Sequence, residues 1–236
     1  MMANNHKTIG ILGGMGPEAS ANLYSKMIKY SQHKYNAVQD SDYPPIIIYS
    51  LPLSGFDETG IANKKLVKKQ LVDGVKRLES AGCELIIIGC NTVHIFYNEM
   101  QKAVKIPILN IVEETKKKVL EFGYKKVGLF ASESTTKSKL YQERFAKSKI
   151  RVISPDNKQQ KIINRVIEHV MGGNQKTDDV IALKDIARDY LRKGAEAIVM
   201  GCTEIPLAIN QSNTDIKLFD TIEIIVQSAV DFSLKT

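Results

Sequence analysis

The chain has no tryptophan, only three cysteines and seven prolines, and 7% aromatic residues across its 236 positions. A small, odd number of cysteines argues against a disulfide framework and predicts free thiols in a reducing compartment, which we take to be the cytoplasm. Long apolar runs are missing too. The longest are short stretches such as Leu85-Ile86-Ile87-Ile88, far below the roughly 18 residues of a membrane span. The opening MMANNHKTIG holds no apolar core of the kind a secretory signal carries. Biased tracts are absent as well. With 43% apolar and 25% charged residues the composition is that of a globular chain, not a disordered or collagenous one.

Charge of one sign is in modest excess, a formal +7. The lysines sit in short knots (Lys64-Lys65, Lys68-Lys69, Lys116-Lys117-Lys118, Lys125-Lys126) without the interleaved arginines and aromatics of a nucleic-acid face. They read as solvated helix faces and turn edges, and no nucleic-acid partner is expected. A basic excess of this size would steer small acidic substrates.

Short apolar segments alternate with amphipathic ones. Thr8–Leu12 reads as a strand ending in Gly13-Gly14, with Pro17 placed to open a helix over 19–30. Strands are expected at 45–50, 84–89 and 107–111. Helices are expected at 64–80, 91–103 and 113–122, the first with Leu66, Leu71, Val75 and Leu78 on one face. Strands apolar throughout, rather than alternating, predict parallel sheets covered on both sides. The second half then repeats the first. Lys7–Leu12 matches Lys125–Phe130, Ala81–Cys90 matches Lys193–Cys202, and Ile106–Asn110 matches Ile216–Asp220. The expected fold is therefore α/β, with two pseudo-symmetric Rossmann-like lobes over 1–112 and 113–220, each a parallel sheet flanked by helices. A C-terminal helix at 221–236 is expected to cross back to the first lobe, and the site to lie in the cleft between the lobes.

The repeat singles out Cys90 and Cys202. Each follows an apolar strand and a glycine, so each belongs at the carboxyl end of a strand, where open parallel sheets bind ligands. A pseudo-two-fold axis sets them on opposite sides of one cleft. Two opposed thiols suit proton exchange at a stereocentre: one thiolate removes a proton from one face and the other thiol delivers one to the opposite face. Cys83 is the contrast, because its repeat partner is Ala195 and the fold needs no thiol there; it reads as packing. Two lone cysteines are too few for a structural zinc site, and no metal is expected. His94 lies one helical turn beyond Cys90 and reads first as a hydrogen-bonded structural histidine. Gly14-Met15-Gly16-Pro17-Glu18-Ala19 satisfies a G-x-G-x-x-A pattern, but no acidic residue ends the second strand to hold a ribose.

Three segments together, Ile9–Pro17, Gly89-Cys90-Asn91-Thr92-Val93-His94 and Gly201-Cys202-Thr203-Glu204-Ile205-Pro206, resemble the aspartate/glutamate racemase family, and its aspartate racemase branch in particular. The resemblance implies an isomerase that racemises an acidic amino acid, aspartate first and glutamate or a broader range next, without pyridoxal phosphate or any other cofactor, in a homodimer. It matches Cys90 and Cys202 to the acid/base pair. It assigns Met15, Ser50, Asn91, Thr92, Thr135, Lys161, Thr203 and Glu204 to substrate binding, with Lys161 on a substrate carboxylate and Ser138 beside Thr135. Two departures stand out: Ser134 replaces the usual glycine before Thr135, and Ser50–Phe56 lacks the arginine that anchors a distal carboxylate. Hydantoin racemases, maleate isomerases and decarboxylases share the lobes and strand-end cysteines. A non-catalytic amino-acid-binding protein is the alternative of a different class.

Overall fold

The computed structural model describes residues 6–57 and 60–235. In chain order the elements are β1 (Ile9–Gly13), α1 (Pro17–Tyr35), β2 (Ile46–Ser50), α2 (Lys64–Ser80), β3 (Leu85–Ile88), α3 (Tyr97–Ala103), α4 (Ile111–Glu121), β4 (Lys126–Phe130), α5 (Glu133–Lys137), α6 (Leu140–Ala146), β5 (Arg151–Ile153), α7 (Asn157–Met171), α8 (Thr177–Arg192), β6 (Ala197–Met200), α9 (Ile205–Ala208), β7 (Leu218–Asp220) and α10 (Thr221–Leu234). They form two parallel sheets, ordered β2-β1-β3 and β5-β4-β6-β7. The strands β1, β3 and β6 are buried along their whole length, as uninterrupted Ile, Leu and Val runs require.

The repeat in the sequence is a repeat in space. Ile9 pairs with Leu85 in the first sheet, and Val127 pairs with Ala197 in the second. The expected strand at 107–111 is reduced to a bridge between Ile86 and Ile108, in the place β7 holds in the other sheet. Its shortness has a local cause. Pro107 has no N–H to give, and the Asn110 side chain already accepts from Val112 and Glu113 N–H, so α4 begins before a ladder can extend. Asp220 caps α10 in the same way.

Two other expectations shift. α2 has the expected limits, but its core face is Val67, Leu71, Val75 and Leu78, while Leu66 is 39% exposed. The i, i+4, i+8 spacing from Val67 is the better helical stripe, and the Asn63 cap accepting from Leu66 N–H fixes its phase. The single helix expected over 91–103 is instead a 3-10 segment, Thr92–Phe96, followed by α3. Thr92, Val93 and Ile95 are β-branched and disfavour a regular α-turn. The tighter winding buries Thr92, Val93, His94 and Phe96 together.

The inner faces of both sheets share one hydrophobic cluster that joins Ile9, Ile11 and Ile87 to Leu129, Phe145 and Val199 through α4 and α10. α10 packs against α1 and α4, and α4 packs also against α6. Polar ties reinforce this seam. Tyr30 and Tyr35 both donate to Asp231, at 3.0 and 2.7 Å, and Lys26 pairs with Asp220 at 3.0 Å. Separate outer clusters lie under α2 and α3 and under α7 and α8. Among the described residues no helix is long and apolar enough to cross a membrane.

Close packing makes one glycine a sensitive probe of the second sheet. A Cβ on Gly128 would sit 2.2 Å from Tyr190 Cδ2 and 2.7 Å from Ile198 Cδ1, both on buried side chains. Gly128→Ala should destabilise the fold by about 1–3 kcal/mol through overpacking. Thermal denaturation should show a Tm lower by several degrees; an unchanged Tm would contradict this packing.

Candidate active site

Four loops at strand carboxyl ends converge: those after β1, β3, β4 and β6. They enclose a cavity of about 190 Å³ whose lining includes both Cys90 and Cys202. The sequence logic is visible in each loop. Gly14 adopts φ +91°, and a Cβ there would lie 2.4 Å from the Leu51 carbonyl oxygen. Only glycine fits that left-handed position. Ser20 Oγ, from the first turn of α1, accepts from Gly14 N–H and donates to the Gly16 carbonyl, each at 2.9 Å, so the loop carrying Met15 is tied to the helix behind it.

Cys90 is buried at the start of the 3-10 segment, and the N–H groups of Val93 and Thr92 point at its sulfur. Burial dominates, and with the nearby Glu204 carboxylate it pushes the thiol up to about 12, against the opposing pull of those N–H groups. Cys202 donates to Glu204 Oε2 at 3.0 Å. Its thiol stands well above the ordinary range, first through burial, then through the Glu204 charge and hydrogen bond, with the Cys90 charge adding to the effect. The two sulfurs therefore sense each other across the cavity. Glu204 Oε2 also accepts from Thr203 Oγ1 at 2.9 Å. A Cβ on Gly16 would lie 2.9 Å from Glu204 Oε1, so a glycine of the first half leaves room for a carboxylate of the second.

Buried hydroxyls and amides complete the floor. Thr92 Oγ1 lies 2.7 Å from Thr135 Oγ1 and 3.2 Å from Ser132 Oγ. Asn91 is held at both ends of its amide, accepting from Tyr141 Oη at 2.5 Å and donating to Thr221 Oγ1 at 3.3 Å. Thr221 in turn donates to the Met200 carbonyl at 2.8 Å. Each of these links joins the two halves of the repeat. A fully satisfied buried network of this kind holds its members in one arrangement.

Of the residues singled out in the sequence, Met15, Cys90, Asn91, Thr92, Cys202, Thr203 and Glu204 line the cavity together. Thr135 lies behind the wall and supports Thr92, and Ser138 donates to the Thr135 carbonyl. Ser50 is exposed at the end of the edge strand β2 and does not line the cavity. Lys161 does not either. It is exposed on α7, because Gln160, Ile163, Val166 and Ile167 take that helix's buried face. The expected lysine contact with a substrate carboxylate is thus not formed in this arrangement. His94 is buried behind Cys90. Its Nδ1 bonds to the Cys90 carbonyl at 2.8 Å and its Nε2 accepts from Ile111 N–H at 3.4 Å. Cys83 packs under β1 against Gly10, away from the cavity. Ser132, Phe56, Ile167 and Met171 line the cavity without having been singled out. Ser132 had a signal: continuing the Lys7–Leu12 match past the strand aligns it with Gly14. Ile167 and Met171 read as ordinary positions of an amphipathic helix. Among the described residues no group of three or more His, Cys, Asp or Glu is placed to hold a metal ion.

The family model for Asp/Glu/Hydantoin racemase matches residues 12–229. The chain is similar to the Broad specificity amino-acid racemase RacX of Bacillus subtilis, 32% identical over 222 residues, covering 94% of this chain and 96% of that protein. Its fold is similar to the crystal structure of an aspartate racemase homologue from Pyrococcus horikoshii, with a TM-score of 0.82, 31% identity, and coverage of 96% and 99% of the two chains. A glutamate racemase from Francisella tularensis solved with D-glutamate shares the fold at a TM-score of 0.66 and 19% identity, over 95% of this chain and 80% of that one.

Two pH responses follow from this geometry. Glu204→Gln removes a charge that raises both thiols, so pH-dependent alkylation read by mass spectrometry should move to lower pH at Cys90 and Cys202 and stay in place at Cys83. His94 is held low, at about 4, first by burial. The unfolded chain takes up that proton near the ordinary value of about 6.5, so the stability present above that value should be lost as pH falls toward 4. Chemical denaturation of wild type and His94→Gln across this window should show the acid loss in the wild type and much less of it in the variant.

Proposed function

The chain belongs to the Asp/Glu/hydantoin racemase family, and from that premise we propose that it racemises an α-amino acid by a two-base exchange at the α-carbon, with Cys90 and Cys202 as the bases and no pyridoxal phosphate. The observation that carries this is the placement of both repeat-related thiols in the lining of one small cavity. The protein is an isomerase of the racemase class; the thiol pair and the choice of substrate are our reading.

Both thiols favour the protonated form in the empty cavity, burial being the first cause for each. A zwitterionic amino acid brings an ammonium group, and a positive charge beside a thiol favours its thiolate. Two negative sulfurs so close are disfavoured, so the charge resides on one at a time. That is the state inversion requires. The thiolate takes the α-proton and becomes a thiol; the opposite thiol gives its proton to the other face of the carbon and becomes a thiolate. The product is the enantiomer, no proton is gained or lost, and the reverse reaction starts from the exchanged pair.

The α-proton of an amino acid is a weak acid, so the carbanion-like charge must be stabilised. The substrate carboxylate would meet Asn91, Thr92 and Ser132, which line the floor. Donors held in place in a dry site need no reorganisation as charge develops. Glu204 would face the ammonium end, where a carboxylate also tethers the Cys202 proton at 3.0 Å. We place Tyr141 and Thr221 as positioning residues that hold Asn91, and Thr135 as the one that holds Thr92.

Cys90→Ala and Cys202→Ala should each lower racemisation by about 10²–10⁴-fold or more, the range of a positioned acid–base group. Serine at either position should be nearly as damaging, because an alcohol is a much weaker acid. Chiral chromatography of L- and D-amino acids measures this directly. Near-wild-type turnover in either alanine variant would remove the two-base assignment.

A further inference from the structure

The side-chain end of the cavity carries information that the reacting end does not. Among the described residues its lining contains two carboxylates, Asp57 and Glu204, and no lysine, arginine or histidine. Its remaining wall is apolar: Met15, Leu53, Phe56, Ile167 and Met171. Met171 is 50% exposed at the last turn of α7, an unusual state for a large apolar side chain at a binding site. Lys161, the cation expected to meet a distal carboxylate, is exposed on the same helix outside the lining. The segment 50–56 supplies no arginine.

We infer that this cavity takes amino acids whose side chain has an apolar stem and no carboxylate, neutral or cationic at its tip, in preference to aspartate or glutamate. The inference rests on the racemase reading above and specifies its substrate class. A distal carboxylate placed against Phe56, Ile167 and Met171 would give up water without gaining a donor. It would also lie in the field of Asp57 and Glu204, and like charges repel most strongly where water is excluded. An apolar stem gains by the same contacts, because covering Met171, Phe56 and Leu53 removes exposed apolar surface from water. Methionine adds tolerance, since its unbranched thioether repacks around stems of different length. Asp57 accepts from Gly60 N–H at 2.9 Å, which fixes its carboxylate on the cavity wall, where a cationic tip would find a counter-charge.

The test is α-proton exchange in D₂O followed by NMR on the wild-type protein, comparing substrates of matched shape. L-Glutamine and L-glutamate differ by little more than the charge at the tip; L-methionine and L-lysine add the apolar and cationic arms, and L-aspartate the short acidic one. We expect kcat/KM for glutamine, methionine and lysine to exceed that for glutamate and aspartate by about tenfold or more. Met171→Arg, at the rim and clear of both thiols in sequence, should reduce the glutamine-to-glutamate ratio by raising glutamate exchange. Glutamate or aspartate exchanging as fast as glutamine in the wild type would overturn the inference and leave the racemase reading standing. A ratio unmoved by Met171→Arg would overturn the role given to this wall. Exchange with none of the five, in a protein shown to be folded by thermal denaturation, would remove the racemase reading and this inference with it.

Discussion

Two sulfurs facing one dry space cannot both hold a negative charge, and most of the architecture serves to create that situation. Burial raises each thiol, and the charge on one raises the other further. The site therefore has two equivalent ways to carry a single charge, related by the axis that relates the halves of the chain. A reaction that must run equally well in both directions has a use for that degeneracy. The opposing forces are local. The Val93 and Thr92 N–H groups favour the thiolate at Cys90, while Glu204 disfavours it at both sulfurs and holds the Cys202 proton. The balance between them is set by side chains that differ between the repeats, so the two directions are matched in geometry and unequal in detail.

That inequality is visible wherever the repeat departs from itself. Asn91 and Thr92 follow one cysteine and Thr203 and Glu204 the other, so the neutral donors gather on one side and the carboxylate on the other. An amino acid carries a carboxylate and an ammonium on the same carbon, and a site that presented the same groups from both sides would bind it in two opposed orientations. His94 and Pro206 show the same division in the supporting layer. His94 ties the Cys90 carbonyl to the start of α4, whereas Pro206 lies in the first turn of α9. A neutral histidine with both ring nitrogens engaged stiffens one wall without adding charge to a site whose charges are already few.

How much of this was legible in the chain depends on whether a signal was local. The sheets were, because uninterrupted Ile, Leu and Val runs flanked by glycine have few other uses. Cys90 and Cys202 were, because a repeat makes a lone residue into a comparison, and Cys83 against Ala195 showed what a merely structural thiol looks like. The break of the 91–103 helix, the loss of the 107–111 strand and the phase of α2 were not. Each turns on one capping or β-branched residue whose effect depends on the geometry around it. Asn110 illustrates the point. As a residue type it suits a turn, a cap or a strand end equally, and only the two N–H groups it meets in space decide that α4 starts there. Lys161 failed for a related reason. A match to a motif places a residue on a helix, but its neighbours decide which way that helix faces, and here Gln160 and Ile163 claim the interior.

The orientation of α7 then bears on specificity more than any strand-end residue does. The catalytic floor is built from strand carboxyl ends, which the core holds rigidly, since β1, β3 and β6 are buried throughout. The wall opposite is a helix face, and turning that face by one residue would exchange apolar side chains for charged ones. Selection among amino acids can therefore change through α7 and the segment after β2 while the thiols stay in place. Ile167 is buried and Met171 is half-exposed at the helix end, so the wall grades from fixed to adaptable as it leaves the reacting centre. A floor that is satisfied and immobile fixes the α-carbon between the sulfurs. A rim of methionine and phenylalanine then leaves the rest of the side chain to be read by size and charge alone, the combination a racemase needs if it is to act on more than one amino acid without loosening its grip on the stereocentre.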